Sequence, residues 1–451
     1  MQPTTTVPSW KERLLGRGGE GNGVRGAVQT TANSLILHLH PHRVPAAALR
    51  FSYTWGLGGI SATLALIIAL TGVLLMFRYE PSVDRAYASI LALESEVMFG
   101  SLVRAVHHWA ANFLVVTAFL HLVRVFLTGG FKKGRFGNWL IGIGLLLIVL
   151  VFNFTGYLLP WDQLSYWAVT VVTSMIDYVP VVGAMLSRWV LGGANEVGQG
   201  ALVNFYALHV AVLPGLMFAA LGYHFWKVRK DGGISQPELP EGKQEVKVST
   251  IPHLTQIEFA ALAVVVSAIA IFSMVVPAPL EALANPLHPP NPAKAAWFFA
   301  GVQELLLHMH PLAAIILVFI VLIGLALLPL WDRKESDIGI YFRSTGGRNA
   351  ALAALVLSTY LVPLLVVADE YWIDWLAILP SWPLILSTGL VPLLLTLGGL
   401  AAVYGGIRRL LKLSHGEALV GLFSFVMCSL VALTIVGVFF RGPNMALVLP
   451  F

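Results

Sequence analysis

Nine apolar runs, each near the roughly 20 residues that an α-helix needs to cross ~30 Å of hydrocarbon, recur along the whole chain. They fall at about 55–77, 102–127, 138–159, 203–226, 257–277, 311–330, 350–368, 383–404 and 417–440. Their number and spread exclude a soluble enzyme with a single anchor, and predict an all-α, polytopic membrane protein of nine transmembrane helices. With 57% hydrophobic and only 11% charged residues, the chain lies far from the roughly 25% charged content of soluble domains. The stretches Trp161–Gly200 and Pro277–Pro292 are too broken by proline, glycine and charge to be ordinary spans, and are expected at the membrane surface.

The formal net charge of +5 reflects topology rather than nucleic-acid binding. If the N-terminus is cytoplasmic, all but six of the 28 lysines and arginines fall in connections on that side. Arg78, Arg85, Arg104, Arg188, Lys294 and Arg441 are the six on the other. The positive-inside rule therefore supports both the odd number of spans and an integral membrane protein, of a bacterial cytoplasmic membrane, with its N-terminus in the cytoplasm. The segment Met1–Pro45 has no short apolar core ahead of a small-residue cleavage site, so no cleaved signal is expected. Within it LHLHPHRVP, with His38, His40 and His42, reads as an amphipathic surface helix. Cys428 is the only cysteine, which excludes an internal disulfide and a CxxCH haem attachment.

The longest polar interruption, Lys227–Thr250, separates four spans from five. The expected organisation is a cytoplasmic tail and surface helix at 1–50, a four-helix bundle at 51–230, a linker at 231–256, a three-span unit at 257–370 and additional C-terminal spans at 371–451.

The second span carries His107 and His121, fourteen residues apart, and the fourth carries His209 and His224, fifteen apart. At 3.6 residues per turn each pair shares one helix face, ~21 to 22 Å apart along the axis. Both spans enter from the outer side, so His107 is level with His209 and His121 with His224. Two imidazoles at one depth on facing helices can supply both axial nitrogens of a haem iron. Gly58 and Gly72 in the first span, and Gly142 and Gly156 in the third, repeat the fourteen-residue step. Glycine there would let a flat macrocycle approach the helix backbone. Isolated intramembrane histidines and glycines often serve helix packing alone. Four costly ionisable residues at matched depths, with glycines in register, point to two non-covalent haem b groups, each with its iron on one pair: His107 and His209 outside, His121 and His224 inside.

The stretches RAVHHWAANF, LHLVRVFLTGGFKKGR, TGYLLPWDQLSYWAV, VGQGALVNFYALH and HFWKVRKDGGIS resemble the cytochrome b family of quinol-oxidising cytochrome bc complexes. The first half resembles the chloroplast-type split cytochrome b, and the second that type's three-span partner subunit, fused and extended. The resemblance implies electron transfer between quinone sites, with a lower-potential outer and a higher-potential inner haem. It implies quinone or menaquinone as substrate, with quinol oxidised outside and quinone reduced inside. Partners would be a Rieske iron–sulfur protein, a cytochrome c or another iron–sulfur subunit, within a multisubunit complex whose dimerisation is open. Arg104 and Arg124, each three residues from a ligand, would pair with haem propionates.

The outer quinol pocket of the family would fall here on Tyr157, Pro160 and Trp161, and on Trp297 and Phe298. Where the family has a Pro-Glu-Trp-Tyr motif this chain reads Ala295, Ala296, Trp297, Phe298, so the motif's proton-accepting glutamate is missing. Quinol oxidation needs an acceptor within hydrogen-bond reach, and Glu304 is the first candidate, ahead of Glu281, His288 and His308. Arg229, Lys230 and Asp231 would serve the inner quinone. Gly56 stands where the chloroplast type has a haem-attaching cysteine, so no covalent haem is expected. Two other readings stand beside this one. One is a quinone-reactive di-haem anchor of a non-Rieske complex; the other is a transporter with structural histidines.

Overall fold

The structure is a computed structural model that describes residues 40–237, 242, 245–334 and 337–449. His38, Lys11, Arg13, Arg17, Arg25 and Lys243 lie outside them. Among the described residues nine helices are long and apolar enough to cross a membrane. In chain order they are α1 (Leu57–Met76), α3 (Gly100–Leu127), α4 (Phe136–Leu158), α7 (Gln199–Lys230), α8 (Thr250–Val275), α10 (Pro311–Trp331), α11 (Thr345–Tyr371), α12 (Ile385–Leu410) and α13 (His415–Phe439). Four shorter helices of 8 to 14 residues lie between them: α2 (Ala86–Glu96), α5 (Gln163–Ile176), α6 (Gly183–Val190) and α9 (Trp297–His308). All four fall in connections on the same side of the spans, so one face is elaborated and the other is built of tighter crossings.

Helix ends follow local chemistry. Asp162 caps α5 by accepting from the Ser165 N–H, and Ser344 caps α11 by accepting from that of Gly347. Ser414 and Glu417 form a reciprocal capping box on α13, the arrangement that satisfies two orphan donors at once. The α11–α13 seam clusters Ala350 and Ala354 with Phe425, and Ala351 with Leu419, Val420 and Phe423. A β-carbon on Gly421 would come within 3.2 Å of the Ala350 β-carbon. Small residues let membrane helices approach closely when no hydrophobic force drives them together.

The first four spans form the expected bundle, with α1 on α3 and α7 on α4, while α8 packs on both α1 and α3. On the cytoplasm-assigned face the two halves are bolted together. The Lys132 ammonium lies 3.1 Å from both Asp332 and Asp337, and Asp332 also pairs with Arg343. The Arg343 guanidinium sits 4.9 Å from the Phe126 ring centre and 5.5 Å from that of Phe131, and Phe126 stacks on Phe423 of α13 at 3.7 Å.

The tail expectation needs correction. Instead of a surface helix through His42, the strand β1 (Arg43–Pro45) pairs antiparallel with β2 (Lys247–Ser249). The intended linker is thereby tied back to the start of the bundle. Arg135 donates to the carbonyls of Asp231 and Gly233 and fixes the linker's first residues as well.

Asp332 is 2% exposed and neutralises two buried cations. Removing one partner of a buried pair typically costs about 3–5 kcal/mol. Asp332→Asn should therefore lower the thermal unfolding midpoint in detergent clearly, and Asp337→Asn, at a more exposed carboxylate, much less.

Candidate functional site

The four histidines meet in two pairs inside the bundle. The ring centres of His107 and His209 are 6.2 Å apart, and those of His121 and His224 are 6.5 Å apart. Neither pair is in hydrogen-bond contact. An imidazole nitrogen binds a first-row metal at about 2 Å and sits about 1.1 Å from its ring centre, so two rings on one iron have centres about 6.3 Å apart. Both gaps match that span.

The glycines stand against the histidine rings. A β-carbon on Gly72 would lie 3.2 Å from His107 Cε1, on Gly58 3.3 Å from His121 Cε1, and on Gly156 only 2.6 Å from His209 Cε1. Gly142 leaves more room, 3.8 Å to His224 Cε1. Helix α1 thus cradles the two ligand candidates of α3, and α4 those of α7. Gly56, just before α1, has φ +61°, a conformation that L side chains adopt only at a cost.

Sequence reasoning missed two threonines. His107 Nδ1 lies 3.0 Å from Thr71 Oγ1, and His209 Nδ1 lies 3.1 Å from Thr155 Oγ1. Each hydroxyl donates to the carbonyl four residues back, Ile67 and Val151 respectively, so it must accept from the imidazole. The proton is therefore on Nδ1, and Nε2 keeps its lone pair for a metal. At the inner level Leu57 and Ile141 precede the glycines, and the buried His224 Nδ1 has no partner. These rings, gaps and cradles fit a haem at each level.

A family model described as Cytochrome b/b6/petB matches residues 44–232. Cytochrome b6 of Mastigocladus laminosus is 45% identical over 181 residues, 40% of this chain and 83% of that protein. Cytochrome b6 of Desmonostoc sp. (strain PCC 7906) is 44% identical over the same shares. The chain belongs to the cytochrome b/b6 family. Membership implies non-covalent binding of haem b. A solved structure titled "Hyperthermophilic respiratory Complex III" is similar in fold over 88% of this chain and 93% of that one, with a TM-score of 0.62 at 22% identity. The fold likeness therefore extends over more than twice the share of this chain that these two sequence relatives cover.

Around this cytochrome b core the remaining expected residues are distributed unevenly. Tyr157 and Phe298 come together, ring centres 6.4 Å apart. Trp297 Nε1 donates to Asn112 Oδ1 at 2.5 Å, tying α9 to the outer half of α3. Pro160 sits at the end of α4, but Trp161 turns into a separate core and packs against Tyr166. The Trp161–Gln163 turn is strapped to the loop before α9. Ala284 N–H donates to the Trp161 carbonyl, Gln163 N–H to that of Ala282, and Glu281 N–H to Asp162 Oδ2.

Arg104 and Arg124, the residues expected to pair with propionates, are engaged by the protein itself. Arg104 is buried and bonded to Glu94 and to the carbonyls of Ala278 and Pro279. Arg124 donates to the Tyr53 carbonyl at 3.1 and 3.2 Å and lies over the Tyr53 ring. Buried guanidinium groups need acceptors, and the protein's own carbonyls provide them.

Glu304 is corrected as well. Its side chain is fully buried on the face of α9 that meets α13, and both carboxylate oxygens accept from Arg441, at 2.5 to 3.1 Å. Arg441 also bonds Glu370 at 2.8 Å, and His308 bridges Glu304 at 3.2 Å and Asp369 at 2.7 Å. Burial alone would push the Glu304 carboxyl up. Hydrogen bonds from His308 and Arg441, with the Arg441 charge, outweigh it and hold the group below the usual carboxylate range. A carboxylate held this way is a clasp, not a free base. His310, beside it in sequence, caps α10 by accepting from the Leu312 N–H.

At the inner face Asp231 Oδ1 pairs with Lys227 at 2.9 Å while its buried Oδ2 has no partner, and the Lys230 ammonium lies 5.9 Å from the Trp226 ring centre. Arg229, on the same turn, is engaged with its surroundings.

Two predictions follow from this geometry. Gly156→Ala should displace His209 and lower haem content sharply, whereas Gly142→Ala should be nearly neutral by the same measurement. Burial lowers the His308 pKa, but its hydrogen bonds to Asp369 and Glu304 raise it to about 9. That stabilisation is complete below pH 6.5 and is lost as pH rises through about 9, whereas the Glu304 contribution is lost as pH falls below about 4.5. Thermal unfolding followed from pH 6 to 10 should show a decline that His308→Gln removes.

Proposed function

We propose that this chain is the di-haem cytochrome b subunit of a quinol:acceptor oxidoreductase. Two haem b groups would be held by His107 with His209 and by His121 with His224, within a bilayer and with the N-terminus on the cytoplasmic side. The observation that carries the reading is the pair of iron-sized gaps between the histidine rings, one above the other in a single bundle. Each haem supplies a one-electron relay, and the two levels carry electrons across most of the hydrocarbon. The protein's part is to hold the imidazoles, fix their tautomer and keep water out.

Quinol oxidation belongs at the outer level, between Tyr157, Phe298 and the strapped loop, and quinone reduction near Arg229, Lys230 and Asp231. Since Glu304 is committed to Arg441, Glu281 is the better acceptor for the quinol proton. Its carboxylate is exposed, makes no ion pair among the described residues, and lies with Asp162 within electrostatic reach of the Tyr157 hydroxyl. The electron acceptor would be a Rieske protein, a cytochrome c or another iron–sulfur subunit in a multisubunit complex. Ala295 and Ala296 in place of the motif's Pro-Glu favour one second reading, the linear quinone-reactive anchor of a non-Rieske complex. Co-purification of a Rieske protein would exclude it.

An optical redox titration of the purified complex should resolve two b-type components with distinct midpoints, and a spectrum without a haem b band would end the proposal. Thr71→Val and Thr155→Val remove an acceptor that makes the ligand more basic. Each should raise the outer midpoint, on the order of tens of millivolts, and leave the inner one in place. Glu281→Gln should slow quinol oxidation by about 10²-fold at unchanged haem content. Unchanged turnover would remove its role.

A further inference from the structure

Several of the described cations on the cytoplasm-assigned face are spent within the protein. Lys132 and Arg343 pair with Asp332, Lys227 with Asp231, and Lys247 with Glu245. Arg124 and Arg135 are taken up by backbone carbonyls. The end of α12 is different. Arg408, Arg409 and Lys412 stand within five residues of one another and line a cleft of about 390 Å³, together with Tyr404, Gly405 and Leu413. None of the three makes an ion pair among the described residues. Glu417, a carboxylate on the adjoining turn, is consumed by Ser344 and Ser414.

The cleft is also shaped. The Tyr404 hydroxyl is fixed at 2.6 Å from His415 Nδ1, and Arg408 Nη1 donates to it at 3.4 Å. A β-carbon on Gly405 would meet nothing within 4 Å, so the missing side chain leaves the floor open. Beside the cations, Leu410 is 84% exposed, and Leu394 and Leu395 further up α12 are exposed too. Like charges at i and i+4 repel on a helix, and an uncompensated cluster of three calls for an anion. That anion would sit at the end of a spanning helix, with apolar side chains running away from it into the bilayer. A phosphate carrying acyl chains satisfies both halves of this surface, whereas free phosphate satisfies only the polar half.

We propose that this cleft is a binding site for the headgroup of an anionic phospholipid, seated on Arg408, Arg409 and Lys412 with its chains along α12. Basic pockets at the cytoplasmic rim are a recognised mode of anionic-lipid recognition, and charge-assisted bonds from guanidinium to phosphate give it strength. The inference rests on the chain spanning a membrane and is independent of the haem and quinone assignments.

The test is native mass spectrometry of the intact complex, delipidated and then titrated separately with phosphatidylglycerol, phosphatidylcholine and inorganic phosphate. Phosphatidylglycerol should be retained at least fivefold better than phosphatidylcholine. Arg408→Gln/Arg409→Gln/Lys412→Gln should abolish that preference, whereas Arg43→Gln/Arg50→Gln/Arg348→Gln, which removes the same charge from scattered sites on the same face, should keep it. Gly405→Leu fills the cleft while leaving all three cations, and should weaken retention at least fivefold with an unchanged haem spectrum. Equal loss in both triple variants, no effect of Gly405→Leu, or displacement of the lipid by stoichiometric inorganic phosphate would each overturn the proposal.

Discussion

An imidazole in hydrocarbon is expensive unless something takes its lone pair, and this protein places four of them in one bundle. Glycines and threonines of the neighbouring spans serve that placement. The gaps of 6.2 and 6.5 Å between paired rings are too wide for a hydrogen bond and suit one iron ligated from both sides. The glycines of α1 and α4 remove the β-carbons that would push the rings aside, and the threonines at the outer level choose which nitrogen carries the proton.

The two levels are not equivalent. Outside, each ring is hydrogen-bonded to a threonine hydroxyl whose own proton is already spent on its helix. Inside, the corresponding positions are leucine and isoleucine, and His224 Nδ1 is left bare. A more basic ligand stabilises the oxidised iron, so with a haem at each level, as proposed, this asymmetry would favour a lower potential outside and a downhill electron path inward, and Thr71 and Thr155 would set the sign of that gradient.

Much of this was legible in the sequence, for a physical reason. Helix periodicity is rigid, so a step of fourteen or fifteen residues fixes depth and face together, and apolar length fixes the number of spans. The same rigidity could have exposed the threonines, because the outer glycines follow Thr71 and Thr155 whereas the inner ones follow Leu57 and Ile141. Side chains near the membrane surface were another matter. The protein partners of Arg104, Arg124 and Glu304 were not legible, because long polar groups choose partners across tertiary contacts that spacing does not encode. Arg441 lies 137 residues from Glu304, and no local pattern announces that pair. The β1–β2 pairing of the tail with the linker escaped for the same reason, since either strand alone is three residues long.

The central claim is that each histidine pair holds its own iron. The measurement that tests it most directly is the haem-to-protein ratio of two single variants, His209→Ala and His224→Ala, alongside the unaltered protein. The account predicts two haems per chain in the unaltered protein, with the first variant losing only the lower-potential component and the second only the higher-potential one. Retention of both components in either variant, or a ratio of one or fewer in the unaltered protein, would contradict it.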